Sequence, residues 1–519
     1  MNAKKEKKLS QPSRREFVKK SAIALAAFTI VPRFVLGKGY IAPSDTLYIA
    51  AVGVGGKGES DIGGFIGSGK AKVSFLCDVD QLRGKNSFTK YPEAKQYADW
   101  RELFDKESKN FDAVSVSTPD HNHAAIGSAA ITLGKHIWIQ KPLTHDIYEA
   151  RVLADLAKKY KVVSQMGNQG SSNDGVRQMR EWYEAGVIGD VTEVYCWTDR
   201  PGGATSAWWP QGGIKWPSTV ETPPSTFNWD LWQGTAKAKP YPGVINEKGA
   251  RVHPFNWRAW WDYGTGVVGD MGAHIMEGPM TVLGLGPVSE VQTSLAVPGQ
   301  GTFNQDYPDT APSASHTVLT FPKTGSMKES VKLHWMDGGI MPTRPDELDP
   351  SELFTPDRNG GGGMLFHGTK GKMMAYVYSS NARLLPVSRM DEVNVPVKYA
   401  RVPKGADGHY AQWVEACLAG YGKMETSSPF EKAALVTENM LVANLAIRGY
   451  NVGKVVEPTA EAIAAAVAAN RRAPAARTVY PVRGINLIWD SANMKVTNVD
   501  EVNQFVKREY REGWKLSGI

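Results

Sequence analysis

From residue 46 onward the chain alternates short apolar runs with longer stretches of helical period. "LYIAAV" (47–52), "KVSFLC" (72–77), "FDAVSVSTP" (111–119), "KHIWIQKP" (135–142) and "KVVSQMGNQ" (161–169) read as buried strands. Between them, residues 124–133 and 147–159 carry apolar positions three and four apart and predict helices. Strands alternating with helices predict a doubly wound parallel sheet, an α/β domain over residues 45–169. After Gly170 the pattern changes. "GGGGMLFHGTKGKMMAYVY" (360–378) reads as a glycine loop, a strand, a tight turn and a strand, and residues 407–420 and 428–450 as amphipathic helices. An alanine-rich stretch within 456–484 predicts a surface helix, and 485–519 forms a C-terminal tail.

The first 37 residues stand apart. Arg14 and Arg15 precede a short apolar run from Ser21 to Val31. That run is about half of the roughly 20 residues that span a bilayer. The pattern is that of a twin-arginine export signal, which predicts a periplasmic protein delivered folded by the twin-arginine machinery. The best cleavage point precedes Lys38, and retention as an uncleaved anchor stays open. The segment also accounts for the charge. It holds nine basic and two acidic residues, so the whole formal +7 lies there and the remainder is neutral. A nucleic-acid partner, which needs a basic face on the folded domain, is not expected. Three scattered cysteines make neither a disulfide framework nor a zinc site, and no metal is expected.

The first strand runs into Gly53, Gly55 and Gly58, a G-x-G-x-x-G turn. Gly53 permits the turn, Gly55 lets backbone approach a pyrophosphate, and Gly58 lets helix and strand pack closely. The second strand ends at Asp78, twenty residues past Gly58, where a carboxylate accepts hydrogen bonds from an adenosine ribose. A 2′-phosphate would be repelled there, so the cofactor read from these residues is NAD, with Arg83 moderating the preference. Later strand ends carry further chemistry: "TPDHNH" (118–123) places His121, Asn122 and His123 after one strand, and Lys141 follows the next.

In "GDMGAH", Asp270 and His274 are four apart and share one helix face. Two readings stand: a metal pair lacking an evident third ligand, or an acid/base histidine set by its neighbours. Nine of the sixteen tryptophans fall between Trp197 and Trp261. Two or three of them are expected to meet substrate, because flat indoles suit sugar faces and their N–H groups suit hydroxyls.

Together, the glycine loop, Asp78, Thr118-Pro119 with His123, and Lys141-Pro142 resemble the glucose-fructose oxidoreductase / inositol dehydrogenase / rhizopine-catabolism (Gfo/Idh/MocA) superfamily, in an exported bacterial branch. One departure stands out: the usual triplet is Glu-Lys-Pro, and this chain has Gln140-Lys141-Pro142. The resemblance covers most of 45–455 and about 485–516. It implies a second, α+β domain over 170–455 with an open, largely antiparallel sheet that also serves homo-oligomerisation. It implies a cis bond before Pro142, and a catalytic group of Lys141, Asp270 and His274. Cofactor contacts follow at Gly53, Gly55, Gly58, Asp78, Thr118, Pro119, His123 and Lys141, and substrate contacts at Arg258 and Asn168. The implied activity is hydride transfer between a carbohydrate hydroxyl and a tightly held NAD. Two alternatives are kept: glycoside cleavage through transient sugar oxidation, and a non-catalytic sugar-binding protein.

Overall fold

Six short strands, five of them with buried side chains, assemble a parallel sheet in the computed structural model, which describes residues 45–203, 205–296, 309–325, 327–355 and 361–519. The segment assigned to export, 1–37, lies outside the described residues. β1 (Leu47–Val52), β2 (Ala71–Cys77), β3 (Lys95–Tyr97), β4 (Ala113–Val116), β5 (His136–Gln140) and β6 (Ser164–Gly167) lie in the order β3-β2-β1-β4-β5-β6, all parallel. β4 is buried at every position, as expected of a strand covered on both faces. The strand order reverses between β1 and β4, so a crevice opens beyond their carboxyl ends.

Helices α1 (Lys57–Ile66), α2 (Gln81–Lys90), α3 (Trp100–Glu107), α4 (His123–Thr132) and α5 (Ile147–Lys159) form the crossovers. Three of the five starts have a side-chain cap. Asp80 and Asp99 cap α2 and α3 by accepting backbone N–H bonds. Asp146 and Glu149 make a reciprocal capping box on α5. α4 is almost wholly buried because it is built of Ala, Gly and Ser, which let it lie close to the sheet.

Beyond β6, α6 (Asp174–Glu184) leads into a nine-stranded sheet. Its strands are β7 (Val191–Thr198), β8 (Glu290–Leu295), β9 (Ser315–Phe321), β10 (Val331–Met336), β11 (Gly362–Gly368), β12 (Gly371–Tyr376), β13 (Ser380–Leu385), β16 (Leu487–Asp490) and β17 (Lys495–Val496). They lie in the order β13-β12-β11-β7-β10-β9-β8-β16-β17, antiparallel throughout except for β7 with β10. On one face pack α7 (Gly266–Ile275), α8 (Glu277–Leu283) and α10 (Phe430–Gly449), whose apolar side chains join the main core; α9 (His409–Ala419) instead returns to α1. β14 (Lys454–Val456) and β15 (Arg477–Val479) pair as a separate hairpin around α11 (Ala460–Ala468), no residue of which is buried.

The tryptophan-rich segment between β7 and α7 makes its own core of Phe227, Trp229, Trp232, Trp257, Trp260 and Tyr263. It is tied to the parallel-sheet domain by His253, whose Nε2 lies 2.8 Å from Asp80 Oδ2, and by His121, whose ring nitrogens meet the Trp232 and Tyr263 carbonyls at 2.9 and 3.2 Å. Arg508 of the C-terminal tail reaches the same place. It donates to Glu149 Oε1, Thr235 Oγ1 and the His121 carbonyl.

Candidate active site

The turn after β1 is shaped by glycines that have no room for a side chain. Gly53 has φ +77°, and a Cβ there would meet the Ser117 backbone at 2.8 Å. A Cβ on Gly58 would collide with the Gly53 carbonyl oxygen, so α1 seats directly on the turn. Gly55 and Gly56 lie under Arg83. Asp78, at the end of β2, closes the loop: its Oδ2 accepts from Val54 N and Gly55 N at 2.9 and 3.1 Å. Burial pushes its carboxyl above the usual range, while three backbone N–H bonds pull the other way.

These residues form one end of a cavity of about 590 Å³, within the usual size range of ligand pockets. The first turn of α1 opens onto it through Gly56 and Lys57, where unpaired N–H groups and the positive helix end favour an anion. Glycines that admit no Cβ, a helix N-terminus and a carboxylate at the second strand end fit a dinucleotide. Lys57 is engaged with Asp61 and the Tyr410 hydroxyl.

The other end of the cavity is built by β4, β5 and α7. Lys141 follows β5, and its peptide bond to Pro142 is cis. Its Nζ lies 2.8 Å from Asp270 Oδ1 and donates to the Asp270 carbonyl at 3.0 Å. Arg258 Nε donates to the same Oδ1 at 2.9 Å. Burial alone would raise the Asp270 carboxyl, but Lys141 and Arg258 together hold it well below the usual range. Burial draws the Lys141 ammonium down from its ordinary value against the pull of Asp270. His274 stands one turn on. Burial and the Lys141 charge push it well below the usual range, so the imidazole is neutral at physiological pH. Its Nδ1 is buried without a hydrogen-bond partner, and its ring meets Tyr378 edge-on at 4.6 Å.

Of the residues singled out in sequence, Gly53, Gly55, Asp78, Thr118, Pro119, Lys141, Arg258, Asp270 and His274 line this one cavity, and Gly58 lies behind it as a packing contact. His123 and Asn168 are placed elsewhere. His123 is buried behind the wall, its Nδ1 2.9 Å from the Pro142 carbonyl and its Nε2 2.8 Å from that of Thr118. It therefore anchors two cavity loops to each other. Asn168 is fully buried and donates to Ser171 Oγ at 2.8 Å, while its neighbour Gln169 reaches the cavity. In a metal reading of Asp270 and His274 the carboxylate is already compensated by two cations, because Lys141 and Arg258 both meet Asp270 Oδ1. Four of the nine clustered tryptophans, Trp208, Trp209, Trp232 and Trp257, line the cavity.

Sequence reasoning missed several lining residues. Asp120 lies in the quoted "TPDHNH" but was overshadowed by its histidines. It accepts from Thr265 Oγ1 at 2.8 Å, and burial, reinforced by Asp270 and opposed by Arg258, pushes its carboxyl up to about 7. Tyr378 arrives from beyond β12 with φ +63°, a placement no local signal announces. Gln140 is explained by a distant partner: its Nε2 donates to both Asp61 oxygens, at 2.9 and 3.1 Å.

Comparison with known proteins agrees with this architecture. Residues 47–168 match the model of the Gfo/Idh/MocA oxidoreductase family's NAD-binding Rossmann fold, and residues 175–305 that of its C-terminal alpha/beta domain. An uncharacterized oxidoreductase, YfiI of Bacillus subtilis, is 29% identical over 170 residues, 30% of this chain and 43% of that protein. Inositol 2-dehydrogenase 1 of Saccharopolyspora erythraea is 30% identical over 157 residues, 29% of this chain and 45% of that one. The chain thus spans under half the length of these curated relatives. Among solved structures, levoglucosan dehydrogenase in complex with NADH and levoglucosan shares the fold, with a TM-score of 0.50 at 16% identity over 77% of this chain and 97% of that one. By its two matched regions and the sheet order beneath them, this chain is a member of the Gfo/Idh/MocA oxidoreductase superfamily, with an NAD-binding Rossmann domain at residues 47–168.

Proposed function

We propose that this protein is an exported, periplasmic oxidoreductase that acts on a carbohydrate hydroxyl with a tightly held NAD. One observation carries the reading: Lys141, Asp270 and His274 converge on the same cavity as the glycine loop and Asp78. Bound NAD supplies a hydride acceptor. The chain's own residues handle the proton. Neutral His274 is able to accept a hydroxyl proton at Nε2, the ring nitrogen left to meet a ligand. Lys141, with its ammonium drawn down by burial, hydrogen-bonds the same oxygen and steadies charge that develops there. Asp270 stays ionised and fixes the Lys141 and Arg258 side chains. Asp78 favours NAD over its 2′-phosphorylated form by repulsion. The relative named inositol 2-dehydrogenase 1 supports a polyol or sugar substrate.

The twin-arginine pattern of residues 1–37 supports export after folding. It fits a cofactor loaded before export and retained afterwards. The outer face of the nine-stranded sheet, with Glu193, Tyr195, His334 and His367 half-exposed, is the surface on which a second copy would pair.

A second reading, glycoside cleavage through transient oxidation at a ring carbon, is favoured by Asp120. A carboxyl that titrates near 7 beside Lys141 and Asp270 is suited to proton delivery to a leaving oxygen.

The test uses holoprotein purified from the exported fraction. We expect NAD close to one per chain, and its reduction by members of a sugar panel. Aglycone release without net NADH would select the second reading. His274→Ala should keep its fold and its NAD and lose about 10²–10⁴-fold in rate. Wild-type turnover in that variant, or active protein emerging free of NAD, overturns the proposal.

A further inference from the structure

Beside the reaction centre the cavity holds a second guanidinium that the chemistry above does not use. Arg200, two residues past the end of β7, lines the cavity with Trp208, Phe255 and Tyr378. Its guanidinium lies over the Trp208 indole, 4.2 Å from the ring centroid. Trp208 stacks on Phe255 at 5.1 Å, and Arg258 covers Phe255 at 4.1 Å. Two arginines thus bracket one aromatic pair, with Arg258 anchored at Asp270.

The two arginines differ in what they have already bonded. Arg258 donates Nε to Asp270 and Nη1 to the Phe255 carbonyl. The Arg200 side chain makes no hydrogen bond among the described residues, and its Nε is buried without an acceptor. Its ion-pair contact, Asp199 at 3.4 Å, comes from a side chain that is 55% exposed, whereas Arg200 itself is 23% exposed. A largely buried guanidinium whose Nε lacks a well-formed hydrogen bond, and whose Nη groups have no protein acceptor among the described residues, is free to take a ligand's oxygens. Its planar fork matches a carboxylate at two points, and stacking on Trp208 fixes the plane in advance.

The charge balance points the same way. Lys141 and Arg258 share Asp270, and Lys57 is taken by Asp61. Of the two remaining lining cations, Arg83 lies over Gly55 and Gly56 at the dinucleotide end, and Arg200, with its exposed partner Asp199, belongs to the other end. Tyr378, the ring that packs against His274, lines the same cavity as Arg200. His274 and Arg200 therefore face one ligand volume.

The geometry points to a carbohydrate acid as the substrate: a hexuronic acid residue whose carboxylate is held by Arg200 while a ring hydroxyl meets Lys141 and His274. This rests on the carbohydrate reading above and narrows it. The test is calorimetric binding and steady-state kinetics of the holoprotein with D-glucuronate and D-galacturonate. D-glucose and D-galactose serve as neutral counterparts, and glucose 6-sulfate as an anion of different geometry. We expect the uronates to bind at least about 10-fold tighter than their neutral counterparts. Arg200→Met should lose about 10–100-fold for uronates and little for neutral sugars, and Arg200→Lys should recover only part of it. Equal uronate binding by wild type and Arg200→Met, no preference over neutral sugars, or tighter binding of the sulfate each overturns the inference. Uronates that bind through Arg200 without reducing NAD would instead refute the oxidoreductase reading and leave the subsite standing.

Discussion

Gln140→Glu restores the usual family triplet, and in this protein it should be harmful in a pH-dependent way. The Gln140 amide donates to both oxygens of Asp61, and the two side chains are 5% and 0% exposed. The substitution sets a second carboxyl about 3 Å from the first. At an effective dielectric of about 20, two unit charges at that distance repel by about 5 kcal/mol. The new carboxyl avoids this by keeping its proton, which preserves a donor to Asp61, so its folded pKa rises above the unfolded value of about 4.3. The folded state then binds more protons than the unfolded one, and stability falls as pH rises, by about 1.4 kcal/mol per unit until the folded pKa is passed. Lys57, already on Asp61, offsets part of the repulsion. The net loss relative to wild type should be near zero at about pH 4.5 and about 2–4 kcal/mol at about pH 7.5. Thermal or denaturant unfolding of both proteins across that range measures it, and Asp61→Asn combined with Gln140→Glu should recover most of the loss. A stability difference independent of pH, or a double variant worse than the single one throughout, would refute the reasoning.

Other expectations rest on separate parts of the molecule. Gly58→Ala places a methyl group against the Gly53 carbonyl oxygen and should weaken NAD binding by about 10–100-fold in titration calorimetry; wild-type affinity would show that the turn is not so constrained. Asp120→Asn removes a carboxyl that burial holds up to about 7, a penalty that grows as pH rises from about 4 to 7. The variant should therefore gain on wild type across that window, by up to about 4 kcal/mol in denaturant unfolding, and a gain that shrinks with pH would contradict it. Arg508→Ala strips Glu149 of its buried partner and should cost about 3–5 kcal/mol, read as a lowered unfolding midpoint; a change within error would mean the tail does not secure the capping box of α5.

The sequence alone determined the parallel-sheet domain, because five of its six strands are apolar runs and three of its helices begin at a side-chain cap; the edge strand β3, Lys95–Tyr97, has no buried residue and so no apolar signal. It also determined the glycine turn and Asp78, whose spacing is a property of one β-α-β unit. Lys141, Asp270 and His274 were legible by residue type, at a strand end and on one helix face. Their meeting was not, since it joins segments 129 residues apart at Lys141 and Asp270. Tertiary structure decided what local pattern does not encode. It turned His123 away from the cavity to clamp Thr118 and Pro142, because a buried ring seeks the nearest carbonyls. It made Asp61 the partner of Gln140, and so gave the departure from Glu-Lys-Pro a physical reason. It brought Asp120, Tyr378 and Arg200 to one cavity, three residues with no shared motif. Hydrophobic period and capping act within a few residues and can be read along the chain. Charge compensation and burial depend on which distant segments close around a group, and those are set only when the chain has folded.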